Sequence, residues 1–328
     1  MKYDLTQARK CIETLDKRRF DRALLGSGDA FRHIVSLVPL LLHLNHPALP
    51  GYVEDAPAGI ADFILSNYQQ NFLSKEHPEL VEDVQSAVNS DAVFTPILGI
   101  YVMGSFGSIS QTSASDLDIW ICHQDDLSEQ DQQRLAEKTK KISLWASTFH
   151  VEMHFYLMTQ KRFRNERYSD PLTKENSGSA QYMLLLEEFY RSAVRLSGKP
   201  LLWLHLWVED EKQYEAEVSR LVEAGELDPN DWVDFGGLGQ FSASEYFGAS
   251  LWQLYKGIDS PYKSVMKILL LETYAQEYPN AHLIARQFKE DLLSGRSTAA
   301  HHFDPYIAIL ERISQYLTAH SEFKRLDF

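Results

Sequence analysis

An apolar run from Ile97 to Met103, interrupted by one glycine, leads into Gly104-Ser105, and eleven residues after that serine Asp116-Leu117-Asp118 enters a second apolar run. No other stretch limits the fold of this chain as much. The spacing predicts a strand, a tight turn, a short helix and a second strand. Two carboxylates then lie one residue apart where the second strand begins. Successive strand side chains point to opposite faces, so Asp116 and Asp118 share a face. Two anions held that close repel unless something cationic sits between them, and a divalent metal with oxygen ligands is the usual solution.

Composition narrows the classes of function. The chain has 328 residues, enough for two or three subdomains, and its 32 basic and 46 acidic residues leave a net charge of −14. With no long Lys/Arg run, such a chain is not built to hold a nucleic acid through non-specific phosphate contacts, although a local basic pocket for a small phosphate ligand is compatible with it. The two cysteines, Cys11 and Cys122, lie far apart without metal-ligand spacing, which argues against a disulfide framework or a zinc site and points to a reducing cytoplasm. The N-terminus is amphipathic and charged rather than a signal peptide. No apolar run approaches the ~18 residues that span a bilayer.

Periodicity divides the chain into three regions. Residues 1–90 read as a helical region, with helices over Leu5 to Ala23, Phe31 to Leu44 and Ala58 to Phe72, and no chemistry is visible in it. From Asp91 to about residue 200, strand-length apolar runs alternate with helical segments. Ser128 to Phe149 is predicted as a helix with Ser128 as N-cap, and His150 to Met158 as a strand in which Glu152, His154 and Tyr156 share one face. The segment after Ser177-Gly178-Ser179 is predicted as a helix ending near Gly198. Residues 201–328 read as a C-terminal helical region, with helices over Ala243 to Lys256, Ser260 to Tyr278 and Pro305 to Ala319. The Gly-rich Asp234 to Gly239 segment lacks the strand context of a dinucleotide fingerprint and is read as a turn.

These elements suit phosphoryl or nucleotidyl transfer. Two magnesium ions about 3.5–4 Å apart activate an attacking oxygen and stabilise a leaving one. Asp116 and Asp118 are the candidate bridging ligands, and Glu152 is the best third carboxylate. His154 competes for that place, although a neutral imidazole suits magnesium poorly. Gly104 lets the backbone approach a phosphate and Ser105 adds a hydroxyl, with Ser108, Ser110 and Ser115 as possible helpers. Ser179, at a Gly-Ser helix start, is a further anion-binding candidate. Lys199, Lys263 and Lys267 are candidates to neutralise the β- and γ-phosphates.

The pattern from Gly104-Ser105 to Asp116-Leu117-Asp118 resembles that of the DNA polymerase beta nucleotidyltransferase superfamily. More closely, GSISQTSASDLDIWICHQ, LLLEEFYRSAVRLSGK and EYFGASLWQLYKGIDSPYKSV resemble the catalytic region of the class I adenylate cyclases of enterobacteria. The N-terminal helical part and the end SEFKRLDF are also similar, so the resemblance covers nearly the whole chain. It implies an α+β fold: a small mixed β-sheet of polymerase beta type flanked by N- and C-terminal helical regions. It also implies an enzyme that converts ATP to 3′,5′-cyclic AMP and pyrophosphate with two Mg2+ ions, for which Mn2+ can substitute. Ser105, Ser115, Asp116, Asp118 and Trp120 fall on the family's active-site motif and Lys199 on its ATP-binding lysine, with core packing the competing reading of Trp120. The family's proteins are more than twice as long and receive the glucose phosphotransferase signal through a C-terminal half. A chain ending at Phe328 is therefore expected to be an isolated catalytic region in which regulation by that protein is missing or altered. The residues of the site leave open a nucleotidyltransferase that moves AMP onto a separate hydroxyl, while a non-catalytic nucleotide-binding module is disfavoured because all three carboxylates are present.

Overall fold

The structure, a computed structural model, describes residues 5–81, 84, 95–113, 115–165, 182–294 and 303–320. Its centre is a four-stranded mixed sheet of β1 (Ile97–Met103), β2 (Leu117–His123), β3 (Met153–Met158) and β4 (Val194–Gly198) in the order β3-β2-β1-β4. β1 pairs antiparallel with both β2 and β4, and β2 pairs parallel with β3. A parallel pair needs a crossover. Helix Glu129–Ser147 supplies it, and the Ser128 hydroxyl caps that helix by accepting from the Asp131 N–H. Every residue of β1 is buried, as expected of a central strand covered on both faces.

Alternation along the strands sorts their side chains into two cores. Ile100, Val102, Leu117, Ile119, Ile121 and Met153 face one. It is closed by α2 (Asp29–His43), α3 (Asn67–Glu76) and α4 (Glu129–Ser147). Tyr101, Met103, Trp120, Cys122 and Met158 face the other. That side is covered by α5 (Gln160–Asn165), α6 (Tyr182–Ser192), α7 (Leu202–His205), α8 (Tyr214–Glu223) and the C-terminal helices. Those are α9 (Ala243–Lys256), α10 (Pro261–Gln276), α11 (Ile284–Leu293) and α12 (Pro305–Ala319). The first helix, α1 (Leu5–Leu25), puts Ile12 and Leu15 into this second core and Ala23 into the first. It passes the end of β1, where Arg19 donates to the carbonyls of Phe106 and Ala193 at 2.9 and 3.4 Å.

The helix expected from Ala58 starts only at Asn67, where the Ser66 hydroxyl accepts from the Gln69 N–H, and two further local expectations are corrected. The helix predicted to run to Gly198 stops at Ser192, and Val194–Gly198 becomes β4. The free edge of the buried strand β1 needs backbone partners, and that need outweighs the helical pattern of RSAVRLSGK. Gly198 is required at the end of β4: its φ is +86°, and a Cβ there would lie 2.5 Å from the Leu98 carbonyl oxygen. The second correction concerns the short helix predicted between Ser105 and Asp116. Residues 104–113 form successive turns instead. Gly104 and Gly107 sit at φ +84° and +64°, outside helical space.

Candidate active site

The loop after β1 is fastened from behind. The Gly104 N–H donates to the Ser192 hydroxyl at 3.1 Å, and the Ser108 N–H and hydroxyl both donate to the Ser105 carbonyl at 3.0 and 2.7 Å. Arg19 holds the Phe106 carbonyl, and Asp304, at the start of α12, accepts from the Ile109 N–H at 2.7 Å. With their backs engaged, Gly104 and the buried Ser105 line a cavity of about 260 Å³.

β2 forms the next wall. Asp116 immediately precedes the strand and Asp118 is its second residue, and both line the cavity. Asp118 lies opposite Met103 of β1 and His154 of β3, and all three border the same space. The Tyr156 hydroxyl donates to Asp118 Oδ1 at 3.3 Å. Burial, reinforced by the neighbouring Asp116 charge, pushes the Asp118 carboxyl up to about 6, against the opposing pull of His154, Lys267 and the Tyr156 hydrogen bond. Asp118 is thus an anion short of positive charge.

Helices supply the opposite wall. Lys256 of α9 and Lys263 and Lys267 of α10 line the cavity, with Trp252, Gln253, Ser260, Ser264 and Tyr306 between them. From α6 comes Glu188, whose Oε1 is 2.7 Å from Lys267 Nζ. Burial alone would raise the Glu188 carboxyl, but Lys267 and Arg191 outweigh it and hold the group below its ordinary range. Lys267 answers in kind: burial opposes its charge, yet Glu188 keeps its pKa above the usual value. One cavity therefore holds two carboxylates, the deeper of them short of positive charge, together with three lysines, one of them already neutralised.

The structure brings together Gly104, Ser105, Asp116, Asp118, Trp120 and Lys263. Trp120 is both wall and core, since it borders the cavity while stacked on Phe189 with ring centroids 4.1 Å apart. Glu152 is not part of the lining. It precedes β3 with its side chain 73% exposed and accepts from or pairs with His154 Nε2 at 3.1 Å. Ser115 also stays outside, its hydroxyl accepting from the Thr112 N–H at 3.0 Å. Lys199 sits at the far end of the sheet, its N–H bonded to the Leu98 carbonyl at 2.9 Å and its carbonyl to the Tyr101 hydroxyl at 2.5 Å. From Leu98 to Gly104 the strand advances roughly 20 Å. Ser179 lies outside the described residues. Among the lining residues that the sequence did not single out are Glu188, Gln253, Lys256 and Tyr306. For Lys256, Ser260, Lys263 and Lys267, a recurrence every three or four residues was the available signal.

Among the described residues, no group of three or more His, Cys, Asp or Glu side chains is arranged to hold a metal by itself. The chemistry of the carboxylate pair nevertheless fits magnesium, which commonly takes one or two protein carboxylates and completes its octahedron with water and substrate phosphate oxygens. A divalent ion between Asp116 and Asp118 would supply the positive charge that Asp118 lacks.

Residues 4–204 match a family model described as the adenylate cyclase NT domain, and residues 241–328 match one described as the second domain of class-I adenylate cyclase. An adenylate cyclase of Haemophilus influenzae is 68% identical over 333 residues, covering 100% of this chain and 40% of that protein. One from Pasteurella multocida is 62% identical, covering 100% of this chain and 39% of its own length. One from Escherichia coli K12 is 44% identical over 96% of this chain and 37% of its own. The chain thus spans about 40% of the length of the first two of these relatives. No solved structure matches it.

Proposed function

The chain belongs to the class-I adenylate cyclase family, and from that premise we propose that its cavity binds ATP and closes it to 3′,5′-cyclic AMP with release of pyrophosphate. The observation that carries the reading is the cavity itself, where Asp116 and Asp118 face Lys256, Lys263 and Lys267 across a glycine-serine loop. The ribose 3′-oxygen forms a bond to the α-phosphorus, the bond from that phosphorus to the β-phosphate oxygen breaks, and the 3′-hydroxyl proton passes to a carboxylate or to water.

In this reading Asp116 and Asp118 hold Mg2+ or Mn2+, whose charge, when bound, stabilises the attacking and leaving oxygens. Ser105 receives a phosphate oxygen through its hydroxyl, and Gly104, which has no side chain, lets that oxygen approach. Lys256 and Lys263 neutralise the outer phosphates. Glu188 is the third carboxylate within the cavity as it stands, whereas Glu152 and Lys199 enter the site only if their segments move. Ser115 supports the pair by shaping the turn before Asp116. Trp120 is rigid wall beneath the nucleotide. The strand-turn-strand arrangement and its carboxylate pair support a polymerase beta-like nucleotidyltransferase core. Two free cysteines, and the lack among the described residues of any helix long and apolar enough to cross a membrane, fit a cytoplasmic enzyme. In proteins of the relatives' length, the glucose phosphotransferase regulatory protein would act through the part beyond this chain.

Incubation with ATP and Mg2+ or Mn2+, followed by chromatography of the nucleotides, tests the proposal. Cyclic AMP and pyrophosphate in equal amounts are expected, with 3′-deoxy-ATP inert. Linear adenylylated products without cyclic AMP, or turnover of 3′-deoxy-ATP, would overturn it in favour of an intermolecular transferase.

A further inference from the structure

Among the described residues, the one buried carboxamide besides Gln253, that of Gln69, is spoken for. Gln69, 4% exposed, accepts from the Ser66 N–H through its oxygen and donates to the Ser36 carbonyl through its nitrogen. Gln111 is engaged through both atoms as well. Gln253 is as deeply placed, at 5% exposed, yet among the described residues its carboxamide has no hydrogen-bond partner, while its backbone carbonyl accepts from the Gly257 N–H at 2.9 Å. Nor is the group sealed inside the protein. Among the described residues, the fully enclosed polar side-chain atoms without partners are Nε of Arg19, Nε2 of His205 and Nε of Arg312, whereas Gln253 borders the cavity between α6, α9 and β2. Facing the cavity, the amide offers a donor and an acceptor that no described protein group takes, and a bound ligand can use both.

From this placement we propose that Gln253 reads the nucleobase, its oxygen accepting from the 6-amino group of adenine and its nitrogen donating to the adjacent ring nitrogen. The assignment rests on the reading of the cavity as an ATP site and names the residue that selects the base there. The rest of ATP fits this amide less well. Triphosphate oxygens only accept, so they would leave the amide oxygen facing negative charge, and they already have Lys256, Lys263 and the Gly104-Ser105 loop. An adenine edge presents one donor beside one acceptor, the complement of a carboxamide. The surroundings agree: Trp252, Leu185, Trp120 and Met158 line the same cavity and offer apolar area against which a flat ring can lie. A site built to hydrogen-bond a group rejects analogues lacking it far more strongly than an apolar pocket can.

The test compares ATP with purine riboside triphosphate, which lacks only the 6-amino group, in the unaltered chain and in Gln253→Leu. Removing the amino group is expected to lower kcat/KM about 10- to 100-fold in the unaltered chain and less than about 3-fold in the variant. Gln253→Glu, which can only accept, is expected to shift the ratio of ATP to GTP turnover at least about 10-fold toward GTP, whose ring N–H and 2-amino groups both donate. Melting curves establish that each variant is folded, and the analogue comparison in the unaltered chain needs no variant at all. Indifference of the unaltered chain to the 6-amino group overturns the assignment, as does an unchanged analogue penalty in folded Gln253→Leu. A penalty that instead couples to 2′-deoxy-ATP would place the amide on the ribose and also overturn it. If ATP is neither bound, by tryptophan fluorescence, nor converted by the unaltered chain, the ATP reading fails and this assignment with it; normal cyclisation with no base discrimination sinks the assignment alone.

Discussion

Asp118 is the residue on which stability and chemistry pull in opposite directions. Its carboxyl titrates near 6 in the fold and near 3.8 when unfolded. The folded state therefore holds that proton more tightly, and the associated stability is fully present below about pH 4 and lost as pH rises through 6. The shift corresponds to about 3 kcal/mol at most. In divalent-free buffer, Asp118→Asn should accordingly raise stability by about 1–3 kcal/mol at pH 7.5 and by much less at pH 4.5, as read from urea denaturation. Under the proposed function the same variant should lose cyclic AMP formation by at least about 100-fold, because it removes the charge of a proposed metal ligand. A variant as active as the parent would show that the carboxylate pair is not the site. The pair and its shared face were legible because strand alternation is a local rule. Glu188 and Gln253 were not, since which side of a helix meets a cavity is decided by what packs on its other sides.

At the scale of elements, the loop after β1 depends on close approach to α1. A Cβ on Gly107 would lie 2.3 Å from the Arg19 carbonyl oxygen, and the residue sits at φ +64°. Gly225 has nearly the same φ, +67°, with nothing within 4 Å of the added carbon. Gly225→Ala should therefore cost about 1 kcal/mol, the backbone penalty alone, while Gly107→Ala should cost at least about 2–3 kcal/mol and displace the loop. Urea titrations of the two variants beside cyclic AMP assays separate the effects: only Gly107→Ala should lose activity out of proportion to stability. Equal losses would mean that the contact with Arg19 is readily relieved. Sequence patterning assigns residues 1–90 no chemistry, and none of the described residues among them lines the cavity. Their part is indirect, since Arg19 and the Ala23 carbonyl hold the backs of Phe106 and Gln111, and contacts of that kind leave no periodic trace. The strand β4 was misread for a related reason: its pairing partner lies some ninety residues upstream, beyond any local window.

For the whole molecule, Asp304 gathers the fold. One oxygen accepts from the Tyr306 and Ile307 N–H groups at 3.0 and 3.3 Å and so caps α12, while the other accepts from Ile109 and pairs with Arg22 at 3.0 Å. Asp304→Asn can keep the cap but turns an amide toward the Ile109 N–H, a donor facing a donor. A loss of about 2–3 kcal/mol is expected, with weaker ATP binding because the loop is no longer fixed. Calorimetry and an ATP titration check both. Unchanged ATP affinity in a folded variant would show that the loop keeps its shape without this anchor.

That anchor also sets a schedule for biosynthesis. Ile109 and Asp304 are separated by 195 residues. At the usual pace of roughly 5–20 residues per second, a ribosome needs about 10–40 s to travel from the first to the second. During that interval the strands can pair and both helical layers can begin to gather, but the turn after β1 waits for a partner that has not been made. Under the proposed function, the nascent chain is therefore expected to hold ATP only after Asp304 has emerged.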